Sequence, residues 1–363
     1  MGQNTFTAID LYSGSGAVTE GLKTEGFKVL AAVDSDPISC KTYELNHPGV
    51  HLFQEDIRYL SPALLRKTAR IKGRVDLLVV CAPCQPFSSQ NRRRVANDPR
   101  ASLILESIKF VKEFKPLVVF FENVPGIAAS ELLTALRQGM AECGYFLGEP
   151  RTIDASYCGV AQRRERCIMV ASRKAAIISN FYDTIKKRPR ITVREVIGHL
   201  PALSAGERDV IDLLHFARRH QPIVLKRLRQ IPKDGGSRSA LPPALELRCH
   251  KGRTNDFPDV YGRMKWDDVA PTLTTGCTDV TKGRYAHPRD DRAITLREAA
   301  LLQSFPPNYR FYGNAGQIAT QIGNAVPVNM IKTLAFSLIE CVNALRNAKG
   351  KCYKVRRIGT PAL

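Results

Sequence analysis

Hydrophobic and polar positions fall into two rhythms over the first half of the chain. Residues 6–12 form a short apolar run that carries Asp10 and opens into Ser13-Gly14-Ser15-Gly16, followed by an amphipathic stretch through Leu22. This order predicts a strand, a tight loop and a helix. A second strand is predicted over 28–33, ending in Asp34, and residues 75–81 and 117–121 are continuous apolar runs rich in Val and Leu. Uninterrupted runs suit strands covered on both faces, as in a parallel sheet. Between them, residues 102–114 carry Leu103, Ile104, Ile108 and Val111 at helical spacing. The alternation predicts a doubly wound α/β domain over residues 1–172.

From 173 to 290 the pattern breaks down. Pro, Gly and basic residues interrupt every apolar stretch, which predicts a second, smaller and irregular domain. Helical periodicity returns over 296–302 and again from 331 to about 345, so residues 291–363 are expected to rejoin the first domain, with a solvated basic tail over 349–357.

Composition narrows the partners. With 54 Lys and Arg against 34 Asp and Glu, the formal charge is +20, and an anionic partner, nucleic acid above all, would relieve the self-repulsion. The segment 218–238 holds seven basic residues and one acid, Asp234, and makes Arg227 and Arg229 candidate phosphate contacts. At 44% hydrophobic content the chain is that of an ordinary globular protein, with no apolar run near the roughly 18 residues that cross a bilayer. It lacks a secretory pattern at Met1-Gly2-Gln3-Asn4, and Phe6 argues against myristoylation. No membrane partner is expected, and the location expected is cytoplasmic, on the nucleoid. The ten cysteines are scattered rather than framed, as a reducing compartment allows. Cys81-Ala82-Pro83-Cys84 is formally a CxxC but has no second ligand pair, so no metal is expected.

Candidate chemistry lies in the loops. A glycine loop between a first strand and its helix brings backbone N–H groups to a ligand, and an acid ending the second strand, here Asp34, binds ribose hydroxyls. On these residues alone the loop fits a nicotinamide, a flavin, a methionine-derived cofactor or a plain turn. More specific is Cys81-Ala82-Pro83-Cys84-Gln85-Pro86-Phe87-Ser88, which follows a buried strand where open α/β sheets place their active sites.

This segment resembles the Pro-Cys-Gln motif of the DNA (cytosine-5) methyltransferase family. The family's other motifs are present in order: Asp10-Leu11-Tyr12-Ser13-Gly14-Ser15-Gly16, Asp34-Ser35-Asp36, Asp56-Ile57, Glu122-Asn123-Val124 and Gln162-Arg163-Arg164-Glu165-Arg166. Two more close the set, Arg297-Glu298-Ala299-Ala300-Leu301-Leu302-Gln303-Ser304-Phe305-Pro306 and Gln321-Ile322-Gly323-Asn324-Ala325-Val326-Pro327. The resemblance implies Cys84 as the thiolate that adds to C6 of a flipped-out cytosine, Glu122 as the carboxyl that protonates N3, and Arg166, with Arg164 as a second basic member, against O2. It implies S-adenosyl-L-methionine as cofactor. Tyr12, Gly14 and Gly16 would surround the methionine portion, Asp34 and Ser35 the ribose, and Asp56 and Ile57 the adenine. Pro83, Leu103, Asn324 and Val326 would complete the pocket. Ala17 departs from the family, where many members have another glycine.

The resemblance further implies double-stranded DNA as partner, a monomeric enzyme, a basic mobile loop at 87–100 containing Gln90-Asn91-Arg92-Arg93-Arg94, and target recognition in 173–290. Thr274-Thr275 would contact DNA there. The compact layout resembles the bacterial members, which makes protection against restriction the expected role, with a paired endonuclease or alone. Three rival readings are weaker. A tRNA cytosine-5 methyltransferase is disfavoured because the Cys-Phe-Thr string of that branch is absent, and a non-catalytic DNA-binding homologue because Pro83-Cys84-Gln85, Glu122 and Arg166 are intact. A CxxC oxidoreductase fails because Gln85-Pro86 follows the second cysteine where a helix should start.

Overall fold

Strands buried along their whole length need cover on both faces, and the two central strands of the protein are of that kind. The computed structural model describes residues 5–83, 101–247, 249 and 257–354. In chain order, the first part is β1 (Phe6–Leu11), α1 (Ala17–Thr24), β2 (Phe27–Asp34), α2 (Pro37–Asn46), β3 (His51–Gln54), α3 (Pro62–Thr68) and β4 (Leu77–Val80). It continues with α4 (Ser107–Phe114), β5 (Val118–Asn123), α5 (Glu131–Glu142), β6 (Phe146–Leu147), β7 (Arg151–Asp154) and β8 (Glu165–Ser172). β4 and β5 are buried at every position.

The eight strands form one sheet in the order β3-β2-β1-β4-β5-β8-β6, with β7 also paired to β8. β1 to β5 run parallel, and β8 pairs antiparallel with β5, β6 and β7. The doubly wound α/β fold is therefore present, with an antiparallel edge that the apolar pattern did not announce. Successive residues of each strand serve opposite cores. Ile9, Leu11, Leu78, Val80, Val119 and Phe121 pack with α3, α4 and α5. Ala8, Leu77, Val79, Val118 and Phe120 pack with α1, α6 (Ala175–Asp183) and α11 (Val328–Lys354). Strand order reverses between β1 and β4, which opens a crevice at their carboxyl ends.

The helix expected over 102–114 is split. Residues Ala101–Glu106 are 3-10 helix and only Ser107–Phe114 is α. Beyond β8, the sheet layer runs on through α6, past the expected domain limit at 173. The rest of the chain contains α7 (Val193–Ile197), α8 (Pro222–Gln230), α9 (Leu296–Leu302) and α10 (Ala315–Asn324) before α11. α7, α9 and α10 share a third core with Met264, Leu273, Cys277 and Tyr285. A small fourth cluster gathers Leu228, Ile231, Tyr261, Val280, Ala286 and Ala293.

Buried arginines organise this irregular part where periodic packing does not. Arg263, fully buried, donates to the carbonyls of Ile231, Leu228, His287 and Asp290 and pairs with Asp291. Arg292 makes two 2.8–2.9 Å bonds to the buried carboxylate of Glu298 and a third to Asp290. The expected limit at 290 and 291 runs through the middle of this network.

One stretch, Ala315–Asn347, is apolar and long enough by composition to cross a membrane, which a search for unbroken apolar runs missed. In its most apolar 18-residue window 72% is buried inside the fold, and the stretch takes in α10 and most of the core helix α11.

Candidate active site

The loop after β1 is held in a shape that few side chains adopt. Tyr12 has φ 62°, and Gly14 and Gly16 have φ 51° and 93°; such positions favour glycine, and a tyrosine there is strain retained at a site. Gly14 N–H donates to Asp34 Oδ2 at 2.8 Å and Asp36 N–H to Oδ1 at 2.9 Å, so the acid ending β2 braces the loop while each oxygen keeps a free lone pair. Burial raises the Asp34 pKa, against the pull of these two backbone bonds. Tyr12 Oη donates to the carbonyl of Leu103.

This loop forms one wall of a cleft of about 740 Å³ at the carboxyl ends of the strands. Tyr12, Gly14, Asp34, Ser35, Asp56, Ile57, Pro83, Leu103, Asn324 and Val326 all line it. Gly16 does not: its α-carbon faces His47 and Tyr309, so the sequence-based role of ligand contact is not what its position provides. Asp56 is turned onto Arg58, whose hydrogen bonds lower its pKa. The Ile57 carbonyl accepts from Lys109 Nζ at 2.6 Å. Of the wall supplied by α10 and its cap, sequence reading named Asn324 but missed Asn314, Gly316, Gln317, Thr320 and Gln321. The Asn314-x-x-Gln317 capping box that starts this helix was the available signal.

Glu122 and Arg166 open into the same cleft. Glu122 is the penultimate residue of β5, and Arg166 lies on the adjacent antiparallel β8, with Nε 2.8 Å from Glu122 Oε1. Oε1 thus meets Arg166 as a close ion pair and has no further partner among the described residues. Burial pushes the Glu122 carboxyl above its usual range, opposed by Arg166 and Arg164. A buried, partly unsatisfied acid of raised pKa is suited to exchange a proton with a ligand.

Arg164, expected to join the cluster at the base, uses its guanidinium for cross-linking. It is 2% exposed and donates to the Leu273 and Gly323 carbonyls, both at 2.8 Å. Gln162 joins the same three chain segments: its Oε1 accepts from Leu273 N–H, and its Nε2 donates to Gln303, which in turn donates to the Ile322 carbonyl. At Gly323 the backbone of Thr274-Thr275 passes so close that a β-carbon would lie 2.4–2.5 Å from it. Thr274 Oγ1 is bonded to Tyr285 Oη. Arg227 is turned inward, donating to the Leu245 carbonyl and covering the Tyr261 ring, whereas Arg229 is exposed.

After β4 the chain is led toward the cleft: Cys81 N–H donates to the Leu11 carbonyl, and the Ala82 carbonyl accepts from Asn123. Cys81 and Pro83 line the cleft wall. Cys84, the expected nucleophile, and the basic loop over 87–100 lie outside the described residues.

The donor set fits S-adenosylmethionine. The cleft volume suits a ligand of that size, Asp34 offers paired acceptors, and Ile57, Leu103 and Val326 give apolar walls. The buried Oε1 of Gln321 on the α10 wall has no hydrogen-bond partner among the described residues.

Comparison with known proteins agrees. Residues 6–340 match the model of the C-5 cytosine-specific DNA methylase family. The type II methylase M.HgiDII of Herpetosiphon aurantiacus is 37% identical over 91% of this chain and 94% of its own. The type II methyltransferase M.PspPI of a Psychrobacter species is 30% identical over 94% of this chain and 80% of its own. The solved structure of Dnmt2 methyltransferase from S. pombe superposes with a TM-score of 0.64 over 93% of this chain and 99% of that one, at 18% identity, a likeness of fold. The chain belongs to the C-5 cytosine-specific DNA methylase family and is a DNA (cytosine-5-)-methyltransferase that uses S-adenosylmethionine.

Proposed function

We propose that the cleft is the reaction site, with Cys84, Glu122 and Arg166 acting on an extruded cytosine. The observation that carries this is the buried Glu122–Arg166 pair opening into the same cleft as Asp34 and Pro83. Cytosine C5 is a poor nucleophile until C6 is saturated. The Cys84 thiolate adds to C6, Glu122 delivers a proton to N3, and the C5–C4 unit becomes an enamine. Arg166 holds the Glu122 carboxyl in place and faces the side of the base where negative charge builds. When bound, S-adenosylmethionine supplies an electrophilic methyl group to C5. A base then takes the C5 proton, the C6–S bond breaks, N3 returns its proton to Glu122, and the thiolate and the aromatic ring are restored.

Tyr12, Gly14, Asp34, Ser35, Asp56, Ile57, Pro83, Leu103, Asn324 and Val326 hold the cofactor in this reading. Gly16 and Arg164 serve by shaping the walls. Residues 173–290 carry target recognition, with exposed Arg229 among the phosphate contacts. The likeness to type II enzymes supports a modification role alongside a restriction endonuclease, on the nucleoid. A 5-fluorocytosine duplex tests the chemistry. Wild type should form a covalent complex and Cys84→Ser should not, while still binding DNA. Substantial methylation by Cys84→Ser would refute the mechanism. Bisulfite sequencing of DNA from an expressing host, with digestion by a nuclease panel, reads the site and tests protection.

A further inference from the structure

Behind the Ser13–Gly16 turn lies a buried chain of polar groups that the reaction does not use. Tyr309, 4% exposed, places Oη 2.5 Å from the Ser15 carbonyl. His47, 1% exposed, places Nε2 3.1 Å from the Gly16 carbonyl and 3.2 Å from Tyr309 Oη, and its Nδ1 is 3.5 Å from Lys23 Nζ. Neither residue lines the cleft.

Donor and acceptor roles follow from the carbonyls, which only accept. Tyr309 must donate its hydroxyl proton to Ser15. His47 must carry its proton on Nε2 and donate it to Gly16, with the Tyr309 oxygen sharing it. Nδ1 is then a bare acceptor for the Lys23 ammonium. Burial, then Lys23, push the His47 pKa down to about 4, so the ring stays neutral, as this order requires.

The consequence for the loop is geometric. Peptide units are planar and trans, so turning the Ser15 and Gly16 carbonyls toward Tyr309 and His47 turns the N–H groups of Gly16 and Ala17 the opposite way. Gly16 N–H is taken by the Ser13 carbonyl at 3.0 Å, which tightens the turn, and Ala17 lies on the cleft wall. Gly16 leaves the room this needs: a β-carbon there would sit 2.6 Å from the imidazole and 2.8 Å from Tyr309 Oη. We propose that Tyr309 and His47 are positioning residues for the methyl-donor cofactor, a hydrogen-bonded strut by which the C-terminal part of the chain sets the backbone of the cofactor loop.

Tyr309→Phe removes one oxygen and keeps the ring against Phe305 and Phe311. Calorimetric titration of the full-length protein with S-adenosylhomocysteine should show Kd raised roughly 3–12-fold, the range for one hydrogen bond. KM for the cofactor should rise alike, with kcat at saturation and DNA affinity within twofold of wild type. Amide exchange at Gly16 and Ala17 should quicken. His47→Leu should reproduce the loss, His47→Gln, which keeps an N–H donor, should recover most of it, and the double variant Tyr309→Phe/His47→Leu should lose less than the product of the singles. An unchanged Kd, or equal losses of cofactor and DNA affinity, overturns the proposal. Should Tyr309→Phe not fold, the His47→Gln and His47→Leu pair decides: equal cofactor affinity in the two also overturns it.

Discussion

Gly323→Ala is the substitution for which the structure gives the sharpest arithmetic. The new methyl would lie 2.4 Å from the Thr274 carbonyl carbon and 2.5 Å from both its oxygen and Thr275 N, all backbone atoms, whereas ordinary contact begins near 3.4 Å. The segment must retreat by about 1 Å. Arg164 spans the two sides with 2.8 Å bonds to Leu273 and Gly323, and a retreat of that size stretches one of them to about 3.8 Å, beyond hydrogen-bond reach. Overpacking strain of about 1–3 kcal/mol and a weakened bond to a buried charge, about 1.5–3 kcal/mol when lost, place the loss near 3 kcal/mol. With urea slopes of about 1–3 kcal/mol per molar, the unfolding midpoint should fall by about 1 M or more. Gly316→Ala is the control, in the same helix. Its β-carbon would meet only Asn314 Oδ1 at 3.5 Å, and alanine there gains up to about 1 kcal/mol of helix propensity. If Gly323→Ala stays within about 0.5 kcal/mol of wild type, the joint at Gly323 does not carry the load assigned to it.

Glu122→Gln should lower single-turnover methylation roughly 10²–10⁴-fold while leaving S-adenosylhomocysteine affinity unchanged by calorimetry. Because burial raises the Glu122 pKa, against Arg166 and Arg164, its protonated form is depleted as pH climbs through that raised value. Wild-type rate should therefore fall on the alkaline side, and the residual rate of Glu122→Gln should lack that limb. Glu298→Gln strips the buried Arg292 of its main countercharge and should cost about 3–5 kcal/mol in urea unfolding. Burial alone would raise the Glu298 pKa, but Arg292 brings it below its ordinary 4.5. The wild-type pair thus contributes fully above that value and fades as pH falls through the depressed one, a loss the variant should not show. A chimera exchanging 173–290 should lose stability through the cut at Asp290–Arg292, and restoring the native 228–298 within it, which keeps the Arg263 and Arg292 partners together, should recover part of that loss; equal melting temperatures would contradict this.

Four of the five parallel strands were legible as apolar runs leading to a candidate functional residue, Asp34 at the end of β2, Pro83 after β4 and Glu122 within β5, whereas the short β3, with His51 and Gln54 at its ends, was not. α9 was equally clear from its period. β6 and β7 were not, since two and four residues hold too few side chains for a pattern to register. Nor was the antiparallel direction of β8, which depends on how the chain returns rather than on composition. In the irregular middle, order comes from Arg263 and Arg292 satisfying carbonyls, and an arginine in a sequence is read as a surface group. The same limit explains Arg164 and Arg227. Motif and charge marked them as important, but nothing in the letters says whether a guanidinium faces a ligand or a neighbouring carbonyl. The candidate cofactor residues came from motif order, and the cleft gathers all of them but Gly16, whose surroundings are the crowding behind it.

The cleft draws its walls from residues as far apart as Tyr12 and Val326, and this sets a clock on the newborn protein. A ribosome that has made the first 172 residues has already delivered Cys84, Glu122 and Arg166, yet the α10 wall and the strut from Tyr309 are still untranslated. The side chains proposed to react thus precede the cleft wall that completes their site, and a chain broken off before α10 would lack that wall. Methylation can begin only once the chain through Val326 has been made and docked, so the modifying activity of a cell entering expression should lag the appearance of the polypeptide by the time that wall takes to form.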